Sequence, residues 1–475
     1  MSSGEPLADQ APRSTVPAPS YAYRIPTGSY SGATSCASAS CHGGNDPSKR
    51  GSEYTTWIEH DPHSRAYNAL LNEVSQKISR KLVSFRNGKH IPAHEDALCL
   101  KCHSLPVEQP SEPSIFTRQG VSCESCHGPA ESWRTTHYQP SFFGSSHAEK
   151  AEQGMYPTKD LAFRVTMCAS CHVGDGSREV NHDLIAAGHP RLMFEYSSYH
   201  HHPKYRPHWK ETAYGSDFEA RAWAIGQVAV ARSAVDLLRT RAERSQTKEA
   251  PWPELTEYSC YACHKDLNPN RDSWRQLSLS DRPVGALPWG TRTIPVLPAL
   301  AEHGADLSNG QKQLLTELRR LHEMMELQPA DAKQIAAQSR AALAELDGWL
   351  RQMQQSAERD SRARPMTRFG PLFHELSDNA LSPDGTKFNN LDWDGVVQHY
   401  LGLRALQAAG MTESPPLAEL RKLLLFPDCF NSPRDSDPAA ILKQFQRLRE
   451  RPAFLPLPRF GGEGRGEGVL GERHP

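Results

Sequence analysis

The stretch Val121–His137, VSCESCHGPAESWRTTH, carries Cys123, Cys126 and His127 as C-x-x-C-H, the attachment sequence of a c-type haem. The spacing has a chemical reason. Two thiols three residues apart share one face of a helical turn and can form thioethers with the two vinyl groups of a porphyrin. The imidazole that follows points at the iron from one side. His137, ten residues beyond His127, is a candidate second axial ligand for this iron or a neighbouring one.

The same pattern recurs along the chain. Ten of the 11 cysteines fall into five pairs, each followed at once by histidine. Four are regular: Cys99/Cys102–His103, Cys123/Cys126–His127, Cys168/Cys171–His172 and Cys260/Cys263–His264. Paired cysteines also suit zinc, and many cysteines suit disulfides. Neither requires a histidine directly after the second cysteine of every pair, and only 22 of the 475 residues are histidine. The first pair, Cys36/Cys41–His42, encloses four residues (ASAS), so its thiols cannot share one regular helical turn. A looser loop brings both to the porphyrin, or Cys41 alone holds it. The reading is therefore five haem c groups with their irons, the first on an irregular motif. Cys429, in FPDCF, has no histidine beside it and reads as an ordinary thiol.

A chain of 475 residues has room for two or three domains. Only 37% of it is hydrophobic and 8% aromatic, a low apolar content that buried porphyrins would supplement. The net charge of −1 gives no reason to expect nucleic acid as a partner. No apolar run reaches the length of a transmembrane helix. Residues 1–30 are rich in Ser, Pro, Ala and Gly and read as a disordered lead-in without a visible secretory signal. That conflicts with haem attachment, which takes place after export, so the expected location is periplasmic or otherwise exported.

Between Cys36 and His264 there are 12 histidines besides the five in the motifs, against five in the 211 residues beyond His264. Histidine is concentrated where second axial ligands are needed, which favours bis-histidine irons suited to electron transfer. His63, beside Asp61-Pro62, His137, four residues after Trp133, and His182 and His189, in VNHDLIAAGHPRLMFE, are the expected distal ligands. The run His200–His202 with His208 reads as solvent-facing.

WIEHDPHSRAY (57–67), GVSCESCHGPAESWRTTH (120–137) and CASCHVGDGSREVNHDLIAAGHPRLMFE (168–195) together resemble the multihaem cytochromes of the cytochrome c-554 type, over roughly residues 33–265. Members of that family carry electrons, notably away from hydroxylamine-oxidising enzymes. The resemblance implies His63 and His137 as distal ligands, with His182 or His189 serving other irons. Two departures stand out: the fifth motif at Cys260–His264 and the widened first motif. Family members often have four haems, one of them without a sixth ligand, so not every iron here need be bis-histidine.

Ser216–Glu219 reads as a capping box opening a helix through Arg241, with Trp223, Val230, Ala234 and Leu238 on one stripe. A Pro/Gly-rich linker follows Lys265. Leu314, Leu318, Leu321 and Met325, after a Ser308–Gln311 capping box, give a further amphipathic stripe; Ile335, Ala342, Leu346, Trp349 and Met353 give another. LDWDGVVQHYLGLRAL and PPLAELRKLLLF add two more helices.

The expected fold is thus mainly α, a haem-packed multihaem cytochrome domain with little strand followed by a C-terminal helical domain. The boundaries read as 1–30 lead-in, 31–265 cytochrome domain, 266–300 linker, 301–451 helical domain and 452–475 low-complexity tail. The expected function is electron transfer between a donor and an acceptor redox protein, with a membrane-associated redox complex among the partners this reading admits. The alternative is a haem enzyme converting a small nitrogen or sulfur compound at an iron with an open distal side.

Overall fold

In the computed structural model, the described residues are 28–46, 49–86, 88–105, 115–200, 217–247, 250–264, 287–290, 292–303, 311–327, 329–359, 369–380, 393–409, 414–426 and 436–450. Ser216, His201, His202, His208, Ser308, Cys429, His474 and residues 266–286 of the expected linker, 266–300, lie outside them. The remainder of that linker is largely described and joins the apolar core through Trp289, Ile294 and Val296 instead of forming a linker. The fold is mainly helical as expected, and the described residues form no strand beyond one isolated bridge, Tyr258 to Trp289.

The motifs sit on or beside α1 (Glu53–His60), α2 (Glu73–Lys81), α3 (Ala97–His103), α4 (Cys123–His127), α5 (Leu161–His172), α6 (His182–Ala187) and α7 (Phe218–Gln246). Short polar side chains start at least four of these helices; on α2 Asn72 accepts from the Ser75 N–H at 2.8 Å. Asp96 accepts from the Leu98 N–H at 2.9 Å, Asp160 from the Phe163 N–H at 2.9 Å and Asn181 from the Leu184 N–H at 3.0 Å. A helix whose first turn is pinned has its phase set, so these caps decide where the cysteines of α3 and α5 point. Gly128 stops α4 directly after His127 with φ +83°, and a Cβ there would meet the Gly154 carbonyl oxygen at 2.0 Å, which leaves room for glycine alone.

The C-terminal half contains α8 (Leu297–His303), α9 (Lys312–Glu326), α10 (Ala332–Arg359), α11 (Gly370–Asn379), α12 (Trp393–Ala408), α13 (Pro415–Leu423) and α14 (Pro438–Arg449). Both stripes read from the sequence are buried: Leu314, Leu318, Leu321 and Met325 on α9, and Ile335, Ala342, Leu346, Trp349 and Met353 on α10. One apolar core runs from Leu161 to Leu448, so α5 and α7 share it with the C-terminal helices. The segment with the first three motifs has only small apolar clusters, such as Ile78, Leu82, Leu184 and Ala187.

The central helix differs from its expected form. It runs to Gln246 instead of Arg241, and it is buried around most of its circumference instead of along one stripe. The reason is tertiary: α10, α5, α12 and the short helix Tyr196–His200 all pack on it. Its buried arginines are paired, Arg232 with Asp347 at 3.0 Å, and Arg241 with Glu179 at 2.8 Å and Glu257 at 2.7 Å. The expected Ser216–Glu219 capping box falls partly outside the described residues, since Ser216 is not among them. Asp217 is the N-cap without a side-chain bond, and Glu219 accepts from the Ser197 hydroxyl at 2.7 Å.

Candidate functional site

The first motif follows a single 3-10 turn, Ala33–Cys36, after which a second turn returns the chain: the Cys41 and Gly43 N–H groups both donate to the Ser38 carbonyl at 2.9 Å. The four-residue gap is thus taken up by a compact loop. Cys99, Cys102 and His103 lie on α3, Cys123, Cys126 and His127 on α4, and Cys168, Cys171 and His172 at the end of α5. Cys260–Cys263 forms one turn, with His264 exposed just after it. None of the ten motif cysteines is joined to another in a disulfide in this structure.

Thiols from different motifs lie together. Cys36 and Cys123 share a hydrogen bond, as do Cys102 and Cys171. The Cys123 bond holds the Cys36 thiol down at about 6, and the Cys102 bond, helped by Arg178 at 3.7 Å, holds Cys171 at about 6. Burial pushes Cys99 and Cys168 up to about 12. Chain distance alone would make the second and third motifs neighbours. The thiol contacts instead join the third motif to the first and the second to the fourth, because the segment of residues 28–46 folds back onto α4.

A buried carboxylate inside the third motif holds that segment. Glu124 accepts from the Ser31 N–H at 2.9 Å, the Gly32 N–H at 2.7 Å and the Ala130 N–H at 2.7 Å. Sequence reading missed this residue, since the two positions between the cysteines of a C-x-x-C-H motif carry no chemical requirement of their own.

Three motif histidines each stand opposite a second histidine. The ring centres are 6.0 Å apart for His42 and His137, 6.0 Å for His63 and His172, and 6.4 Å for His103 and His189. Metal–nitrogen bonds of about 2 Å on each side, plus about 1 Å from nitrogen to ring centre, put two imidazoles that share one metal about 6 Å apart. Five of these six rings have Nδ1 on an oxygen: His42 on Glu53 at 2.9 Å, His63 on Asp61 at 2.8 Å, His103 on the Ala66 carbonyl at 3.1 Å, His137 on the Arg134 carbonyl at 2.8 Å and His189 on the Pro190 carbonyl at 2.7 Å. Such bonds put the proton on Nδ1 and turn Nε2 outward as the ligand atom. Burial lowers the pKa of His103 and His189 and takes His172 down to about 3, so these rings are neutral, the form that binds a metal. Phe194 stacks on His172 at 5.0 Å and fixes its plane.

His182 is placed differently. Its backbone N–H donates to Glu254 at 2.8 Å, and among the described residues its ring meets none of the motif histidines. Glu254 precedes the fifth motif by six residues, so His182 lies near that part of the chain. Among the described residues no helix is long and apolar enough to cross a membrane.

The donor set of paired imidazoles, five of the six anchored through Nδ1, and the thiol pairs beside them fits haem c at these motifs. No curated protein and no solved structure matches the chain. The family model described as cytochrome c554 and c-prime matches residues 35–128, which span the first three motifs and His63. Over those residues the chain resembles the cytochrome c554 family of c-type cytochromes, a class that carries covalently bound haem c with its iron.

Proposed function

We propose that this protein is a multihaem electron carrier that binds five haems through Cys36/Cys41, Cys99/Cys102, Cys123/Cys126, Cys168/Cys171 and Cys260/Cys263. In this reading His42 with His137, His172 with His63 and His103 with His189 each hold one iron between them; His127 and His264 are proximal ligands of two more. The observation that carries it is the recurrence, three times, of a 6.0–6.4 Å spacing between imidazoles, each pair containing one motif histidine. Haem c, when bound, supplies an iron that takes up and returns one electron. The chain's own residues set ligand orientation, burial and local charge, which tune each potential. Two imidazoles on one iron leave no open side for a substrate, which favours a carrier over an enzyme at those three positions.

The interleaved thiols suggest an order of neighbours: first motif beside third, third beside fourth, fourth beside second. The Cys36–Cys123 and Cys102–Cys171 contacts support the outer steps, and Cys126 lies within electrostatic reach of Cys168 and Cys171 for the middle one. Donor and acceptor are redox proteins, and the location is periplasmic or otherwise exported, as haem attachment requires. The division into a cytochrome domain, 31–265, and a helical domain, 301–451, belongs to the same reading, the second acting as a cover joined to the first by the core around α7.

The test is the mass and pyridine haemochrome of protein matured in an exporting host, with an EPR spectrum of the oxidised form. Five haems per chain and low-spin signals for at least three irons are expected. A mass equal to the polypeptide alone sinks the proposal, and high-spin signals from all five irons would favour the enzyme. His137→Met, His63→Met and His189→Met should each alter the spectrum of one iron only.

A further inference from the structure

The chain as a whole carries a net charge of −1, yet residues 73–90 hold Lys77, Arg80, Lys81, Arg86 and Lys89 against one acid, Glu73. Arg86 is taken up by Asp96 at 2.5 Å. The other four cations are exposed. On α2, Lys77, Arg80 and Lys81 are three and four residues apart and so share one side of the helix. Arg80 and Lys81 line an open groove of about 650 Å³ together with Phe85, Ala186 and Ala187. Phe85 is 52% exposed at its edge, and Val74 on the same helix is 62% exposed. An apolar centre rimmed by like charges is the make-up of a small, transient protein interface.

The position of the groove gives it a purpose. Ala186 and Ala187 close α6 and lead directly into Gly188 and His189, the ring opposite His103. α2 packs on that turn: a Cβ added at Gly188 would lie 3.5 Å from Ile78 Cγ1. A protein seated in the groove is therefore separated from the His103–His189 pair by one helical end.

We propose that this face, centred on Arg80, Lys81 and Phe85, docks an acidic redox protein that exchanges electrons with the haem held by His103 and His189. The proposal rests on the electron-carrier reading above. One electron leaves a reduced centre in the partner and enters a ferric haem, with no bond made or broken. The opposite charges steer the encounter, and the exposed side chains of Phe85 and Val74 among the cations give the dry apolar centre on which a protein partner packs.

The test uses the haem-loaded full chain in stopped-flow mixing with a reduced acidic flavodoxin, and separately with dithionite. The wild-type rate constant with flavodoxin should fall about tenfold or more from low to physiological ionic strength. The triple variant Lys77→Glu/Arg80→Glu/Lys81→Glu should react about tenfold more slowly at low salt and lose most of that salt dependence, with haem content, spectrum and dithionite reduction unchanged. Phe85→Ala should slow the flavodoxin reaction about threefold while keeping the salt dependence. Arg319→Glu/Arg320→Glu, exposed cations on α9, should keep the wild-type rate. A triple variant as fast as wild type overturns the proposal. So does an equal loss in the α9 variant, an unaffected Phe85→Ala, or capture of wild type but not the triple variant by phosphatidylserine vesicles with flavodoxin kinetics unchanged. Failure of the carrier reading looks different: dithionite would leave the wild-type haems unreduced, or no haems would be present.

Discussion

Arg191 grips Asp394 with both ends of its guanidinium, Nη1 and Nη2 each donating at 2.7 Å to a separate carboxylate oxygen. Asp394 is fully buried on α12, and Arg191 is two residues past His189. The pair ties the turn that carries a proposed haem ligand to the C-terminal helices, 203 residues away in the chain. Removing the carboxylate's charge takes this two-pronged partner away from a largely buried guanidinium. Asp394→Asn should therefore cost about 3–5 kcal/mol. Thermal unfolding followed by circular dichroism measures the loss, and the EPR signal of the iron proposed between His103 and His189 should broaden or shift. Arg191→Lys keeps the charge but not the two-pronged geometry and should cost less.

Glu124 collects three backbone N–H groups on one carboxylate. In Glu124→Gln the amide nitrogen must face at least one of those donors. A loss of about 1–3 kcal/mol is expected. It should appear in thermal unfolding together with reduced haem incorporation at the first motif, whose segment Glu124 anchors. Normal haem content and an unchanged melting temperature would show the contacts to be incidental.

His399 is a buried histidine outside the motif region. Its Nδ1 bonds the Gly395 carbonyl at 2.8 Å, and burial carries its pKa from the usual 6.5 down to about 4. The folded protein holds this ring neutral while the unfolded chain protonates it, so the stability it allows is full above pH 6.5 and declines as pH falls towards 4. Between pH 7 and pH 5 that linkage amounts to about 2 kcal/mol. Denaturant unfolding at the two pH values should show a loss smaller by about that amount in His399→Leu. An identical loss in both proteins would place the titration elsewhere.

Gly402 lets α12 cross the indole of Trp223 on α7. A Cβ at Gly402 would come within 2.6 Å of Trp223 Cζ2 and 3.0 Å of Leu376 Cδ1. Trp223 is fully buried, so the ring has nowhere to move. Gly402→Ala should destabilise the protein by about 1–3 kcal/mol despite adding helix propensity. Gly348→Ala, on α10 with only an arginine tip nearby, should be neutral or stabilising and serves as the control.

Asp61 orients His63 through Nδ1 at 2.8 Å. Asp61→Asn removes the negative charge behind the ring and weakens its donation to a metal. If His63 and His172 share an iron, one haem's midpoint potential should rise, while the haem count stays the same. Redox titration followed in the visible spectrum tests this, and unchanged potentials for every haem would remove His63 from the ligand set.

Cysteine pairs with a following histidine, the concentration of histidine before residue 265 and the periodic stripes of α9 and α10 were all legible in the chain, because thioether spacing and helical period are local properties. The resemblance to cytochrome c554 rested on such local strings, and the matching family segment contains the first of them and the start of the second. Which histidine stands opposite which motif could not be read there. His42 meets His137 across 95 residues and His103 meets His189 across 86, distances that only folding closes. Likewise, α7 looked like a one-sided helix since its sequence does not record how many neighbours pack on it. Glu124, Arg191 and Asp394 carried no signal at all, because a buried charge is marked by its partner and not by its neighbours in sequence. Local covalent chemistry determined what this protein binds; tertiary packing alone decided which side chains face one another around it.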